Sequence, residues 1–262
     1  MYRRQFIGGV GAGSATALAG CADLLLHSVE GRPDPHINSE LLDEMGFVKI
    51  DEESVSDTET IETSGISQEV EIEGITHIYE DEGLRHQVRD DTLGELNASV
   101  RTLFTTKLAI DPNTSNIPGV GESTLLNTVE PEIEDSFHTQ LESMGVQDLE
   151  RESESTLSVD TGEDARLYRY SGRYPYDDIE FPLSDGAAVT IPADDVAIRA
   201  MYALWVHDGF VLVAGGGFPT EDVVETIDSD VTEALSVTVD IDLALADDSH
   251  EDDLKTLMAA TS

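Results

Sequence analysis

Ile198-Arg199-Ala200-Met201-Tyr202-Ala203-Leu204-Trp205-Val206-His207-Asp208-Gly209-Phe210-Val211-Leu212-Val213-Ala214 is the stretch on which the fold turns. Two apolar runs flank Asp208-Gly209, a dipeptide favoured in two-residue hairpin turns because both of its positions tolerate positive φ. Residues 201–206 are apolar at both parities, whereas a strand with one wet face alternates. The hairpin is therefore expected near the middle of a sheet that is covered on both faces.

Other elements gather around this hairpin. Strands are expected at Phe104 to Ile110, Leu149 to Val159, Ala165 to Tyr174 and Val237 to Leu245, the last alternating cleanly. Val129, Ile133, Phe137, Leu141 and Met144 recur at helical steps and lie on one stripe. Pro131 is expected in the first turn of that helix and Gly145 at its left-handed stop. A short helix is expected from Ser39, as its cap, to Met45. Asp51 to Glu73 reads either as a disordered stalk or as an exposed hairpin. The shared parity of Val70, Ile72, Thr76 and Ile78 around Gly74 favours the hairpin. Gly215 to Thr220 reads as a turn into a helix carrying Val223 or Val224, Ile227, Val231 and Leu235. Glu221 and Asp222 in its first turn would repel a phosphate, so a plain connection capped by Thr220 is expected rather than a phosphate cradle.

This order implies an α+β fold, an antiparallel β-sheet covered by one or two amphipathic helices. The expected organisation is a removable segment at 1–20, a tether at 21–37, a single domain at 38–246 and a frayed acidic tail at 247–262. Within the domain, 38–80 is a candidate for a loosely attached N-terminal part.

The N-terminus carries an address. Arg3-Arg4 with Phe6 and Ile7 resembles the twin-arginine export signal, and Leu18-Ala19-Gly20-Cys21 resembles a lipobox, which implies cleavage before Cys21 and its lipidation. Phe6 to Gly20 is short of the about 20 apolar residues of a spanning helix and is diluted by glycine, which favours a removable signal over a retained membrane helix. Pro33 and Pro35 keep the following segment extended.

The chain has 55 acidic and 14 basic residues, a formal net charge of −41, and only three lysines, Lys49, Lys107 and Lys255. Acid spread through every element resembles the proteins of salt-in halophilic archaea, in which molar salt shortens the Debye length to about 3 Å and screens self-repulsion. Nucleic-acid partners are excluded by the lack of clustered Lys and Arg. Taken with Gln68 to Ile72, Ile78-Tyr79, the central helix and Gly209 to Val213, the N-terminal motifs resemble haloarchaeal twin-arginine-exported lipoproteins. The element order is also similar to the fold of photosystem-II extrinsic P subunits and LpqN-type lipoproteins. These resemblances imply a fold and a lipid-anchored extracellular location, and carry no site residues.

Cys21 is the only cysteine, so neither an intramolecular disulfide nor a cysteine zinc site is available. His36, His77, His86, His138, His207 and His250 lack metal-ligand spacing, and no metal or cofactor is expected. With one residue in about five acidic, paired carboxylates carry no signal of acid–base catalysis. The one constellation worth testing is Tyr168, Arg169, Tyr170, Arg173, Tyr174 and Tyr176, with Arg166 beside it. On a strand the tyrosines share a face fit to stack a sugar or aromatic ligand, and Arg169 and Arg173 face oppositely, fit to hold an anion. The bland alternative is core tyrosines and ion-paired arginines. Asn97 and Asn113 each begin a glycosylation sequon. The expectation for function is a non-enzymatic, lipid-anchored binding module for an envelope component. A small-ligand-binding lipoprotein is the alternative, and an extracellular hydrolase stands behind both.

Overall fold

The structure is a computed structural model that describes residues 33–63, 66–94, 96–112, 121–176, 178–182, 188–232 and 235–262. Arg3, Arg4, Phe6, Cys21 and Asn113 lie outside the described residues. In chain order the elements are helix α1 (Ser39–Glu44), strands β1 (Phe47–Thr63) and β2 (Ile66–Asp81), helix α2 (Glu82–Asp91), strand β3 (Thr102–Asp111) and helix α3 (Glu122–Ser143). Strands β4 (Gln147–Ser158), β5 (Asp164–Tyr176), β6 (Ile179–Pro182), β7 (Ala188–Ile191), β8 (Asp194–His207), β9 (Phe210–Pro219), β10 (Val223–Thr232) and β11 (Leu235–Leu243) follow, and helix α4 (His250–Ala259) comes last.

Seven strands form one antiparallel sheet in the order β1-β2-β3-β9-β8-β5-β4, with β6-β7 and β10-β11 as separate two-stranded ribbons. The α+β expectation holds, with β8 and β9 near the centre. Asp208 (φ 50°) and Gly209 (φ 84°) make the turn between them, both in the left-handed region that the sequence requires. Each face of the sheet has its own core. Leu125, Val129, Phe137 and Leu141 of α3 meet Tyr168, Tyr170, Tyr202, Leu204 and Val213 on one side. On the other, Leu254, Leu257 and Met258 of α4 and the flank of α1 meet Met201, Ala203, Trp205 and Leu212. A third cluster joins α2 to the two ribbons through Val88, Ile191, Val223 and Ile241.

Residues 51–63 and 66–73 belong to the paired strands β1 and β2, and β2 pairs with β3 from Glu71 to Glu80. The α1 cap is Asn38, whose side chain accepts from the Glu40 N–H at 2.9 Å, one residue ahead of the expected Ser39. Pro131 lies in the interior of α3 rather than in its first turn, because the helix begins at Glu122. Gly145 is in the expected left-handed conformation, at φ 100°.

Three larger corrections have physical causes. Gly215 to Pro219 is not a turn but the end of β9, and Val223–Thr232 is a strand, not a helix. A Cβ on Gly215 would come 2.6 Å from the Met201 carbonyl oxygen and 2.7 Å from the Phe104 ring, so these glycines let β3, β8 and β9 pack closely. Val223, Ile227 and Val231 share a strand parity as well as a helical stripe, and pairing of β-branched residues with β11 decides for the strand. Residues 247–262 are not a frayed tail. Leu254, Leu257 and Met258 have 0% exposure, and the acids of the first turn complement the positive end of the helix dipole. Last, α2 went unforeseen, although Asp81 caps it by accepting from the Leu84 N–H at 2.9 Å.

His36 and Ser262 exchange two backbone hydrogen bonds, His36 N–H to Ser262 O at 2.9 Å and Ser262 N–H to His36 O at 3.0 Å. The segment entering the domain is thereby clasped to the end of α4.

Candidate functional site

Strand β5 separates its side chains as its parity requires. Tyr168 and Tyr170 are fully buried beneath α3, Tyr176 is buried against the ribbons, and Tyr174 packs beside Gly145. Tyr170 donates to Glu134 of α3 at 2.6 Å, and Arg166 pairs with Glu130 at 2.6 Å. The rings of Tyr168 and Tyr170 lie 4.9 and 6.1 Å from that of Tyr202, while Phe137 sits 5.0 Å above Tyr202. Burial pushes all three phenols well above their ordinary range, so each remains a neutral donor. Arg151 lies over the Tyr168 ring at 4.3 Å and closes the edge of this layer. The tyrosine face expected to stack a ligand is therefore core; α3 occupies the place of the ligand.

The opposite face of β5 is buried at Ala165 and Leu167 and opens toward Ser171 and Arg173. Beyond the N-terminus of α4 the sheet forms a cleft of about 340 Å³, with Ser171, Arg173, Ala197, Arg199 and Thr220 around it and the acids of β4 along one rim. Its cations hold carboxylates from several elements. Arg173 pairs with Asp195 at 3.1 Å and with Glu221 at 3.0 Å. Glu251 in the first turn of α4 takes Arg169 at 3.1 Å, Arg199 at 2.9 Å and Lys255 at 2.6 Å. Burial would raise the Glu251 carboxyl, but hydrogen bonds from Lys255 and Arg199 and the charges of Lys255 and Arg169 outweigh it and bring it to about 2. Arg169 also donates to Ser155 at 3.0 Å. Chemically the cleft offers guanidinium and hydroxyl donors beside carboxylate acceptors, a surface for polar recognition.

Residues 34–262 match the model of a family described as a domain of unknown function, DUF6517. The chain belongs to this family. No curated protein and no solved structure was found to match. The DUF6517 domain thus takes in the whole sheet, both helical layers and the cleft, and begins two residues before the His36–Ser262 clasp.

Within the DUF6517 domain the cleft is lined by Arg173 and Arg199, whose ion pairs reach Asp195, Glu221 and Glu251; of these residues, sequence alone gives only Arg173 a binding role. Arg199 had a signal, since a cation inside an apolar central strand is unusual. Glu221 had none, because it was placed on a helix that does not form. Both polar residues of the first sequon are engaged: Asn97 Oδ1 accepts from Arg85 at 3.0 Å, and the Ser99 hydroxyl donates to buried Glu80. His207, expected as a turn residue, is the last residue of β8, and its side chain pairs with Glu163 at 2.8 Å. Among the described residues no three His, Cys, Asp or Glu side chains converge on a metal position, and no helix is long and apolar enough to cross a membrane.

Proposed function

We propose that the chain is a lipid-anchored, extracytoplasmic binding protein of a halophilic archaeon, with the cleft on the arginine face of β5 as its binding surface. The observation that carries the binding reading is the cleft itself, a concavity with charged residues on its rim beside central strands that helices cover on both faces. Its volume suits a small polar ligand, or one side chain of a partner, better than a broad protein interface. The anchoring reading is supported by Arg3-Arg4 and by the lipobox ending at Cys21, followed by a Pro-containing tether. One acyl or isoprenoid chain attaches only marginally at about 0.8 kcal/mol per buried CH₂, so two chains, or help from Leu24 to Leu26, are implied. The acidic composition supports a halophilic origin and folding before export.

Membrane fractionation of wild type against Cys21→Ser tests the anchor: the wild type is expected in the membrane and the variant in the medium. A variant that stays on the membrane would sink the lipobox reading. Arg3-Arg4 replaced by Lys-Lys should retain the protein inside the cell.

A further inference from the structure

Cations are scarce in this chain, 14 among 262 residues, yet Arg169, Arg173, Arg199 and Lys255 gather at one open face. They do not hold their carboxylates equally. Glu251 is gripped by three of them and is fixed in α4. Glu221 belongs to the short connection between β9 and β10, and its Oε1 accepts two hydrogen bonds, from Arg173 Nη1 at 3.0 Å and from the backbone N–H of Ala197 at 2.5 Å. A guanidinium and a main-chain N–H converging on one oxygen form a receptor for a carboxylate, and arginine is the side chain best suited to it. This receptor opens on the cleft, since Arg173 and Ala197 both line it. The Arg173–Glu221 pair is open to water, with the two side chains 45% and 44% exposed, so it holds weakly.

We propose that the Arg173–Ala197 corner of the cleft receives the carboxylate of a small organic ligand, and that Glu221 is a resident competitor occupying the corner while the ligand is absent. This rests on the reading of the cleft as the binding surface. The exchange substitutes one carboxylate for another at the same donors, and Glu221 moves out into solvent. Molar salt screens the repulsion between an incoming anion and the acidic surface, while short hydrogen bonds at the corner persist. Ser171, Thr220 and Arg199 offer donors to the body of the ligand, while Asp148, Glu150 and Glu152 line the same space and would accept from its hydroxyl or amide groups. Two sources share this chemistry, the free C-terminus of a peptide and an acidic sugar.

Calorimetric titration of the purified full chain in molar KCl distinguishes them, using an N-acetyl dipeptide, its C-terminal amide, glucuronate and glucose as probes. One of the two carboxylate probes is expected to bind, and its amide or neutral counterpart is not. Glu221→Ala is expected to bind that probe about fivefold tighter, the factor corresponding to the roughly 1 kcal/mol upper end for an exposed pair. Arg173→Gln, with an unchanged melting temperature, should abolish binding in both backgrounds. Equal affinity of Glu221→Ala and wild type, equal binding of acid and amide, or no binding of either carboxylate overturns the proposal. None of these results bears on the anchor, which membrane fractionation reads separately.

Discussion

Arg101 is the clearest case of a single residue setting what its neighbours can do. It is 5% exposed and joins Asp81, the cap of α2, at 3.1 Å to Asp253 of α4 at 2.9 Å, with its guanidinium 5.0 Å over the Phe47 ring. Arg101→Met would keep the packing and leave two partly buried carboxylates without their cation. The expected loss is about 3 kcal/mol of stability, read by thermal or urea denaturation in molar KCl; a change under about 1 kcal/mol would show that water already compensates these acids. At this scale the sequence was informative wherever backbone chemistry was special. Asp208-Gly209 needed positive φ and has it. Strand parity placed Tyr168 and Tyr170 opposite Arg169, but parity cannot say which face is wet. Burial of the tyrosines by α3 comes from a segment distant in sequence, and only the three-dimensional structure supplies it.

Among the elements, α4 shows why charge misleads in an acidic chain. Its acids suggest a solvated end, yet Leu254, Leu257 and Met258 form a buried face against Trp205 and Leu212. Leu257→Ala is expected to cost about 2–5 kcal/mol, measured as a shift of the denaturation midpoint, and a surface-like loss of a few tenths would contradict the packing. The same helix carries a pH signature. Glu251 sits at about 2 against an ordinary 4.5, so its stabilisation is complete above pH 4.5 and is lost as pH falls towards 2. Glu251→Gln should therefore be less stable than wild type at neutral pH and lose less stability between pH 4.5 and 2; parallel pH curves would rule out this role. The β10 strand was misread for a related reason. Val223, Ile227 and Val231 satisfy both periods, and the choice lies with β11, which follows it in the chain and pairs with it.

For the whole molecule, the antiparallel sheet with helical cover was legible because its central hairpin is apolar on both parities, a pattern that permits only a doubly covered position. The cleft was not legible. It exists because α4 is short and leaves part of one sheet face bare, and helix length against sheet width is not written in any local motif. The charge of −41 makes a prediction at the same scale. The melting temperature should climb steadily between about 0.1 and 3 M KCl as the Debye length shrinks from about 10 Å to about 3 Å or less. A salt-independent melting temperature would remove the support that composition gives to a halophilic origin. Under the proposed anchoring, the clasp between His36 and Ser262 has a mechanical consequence for the domain. Tension arriving at His36 passes through two backbone hydrogen bonds to the end of α4 before it reaches the sheet. Pulling would thus load a helix whose Leu254, Leu257 and Met258 are seated in the core, and the domain would resist being peeled from its first strand.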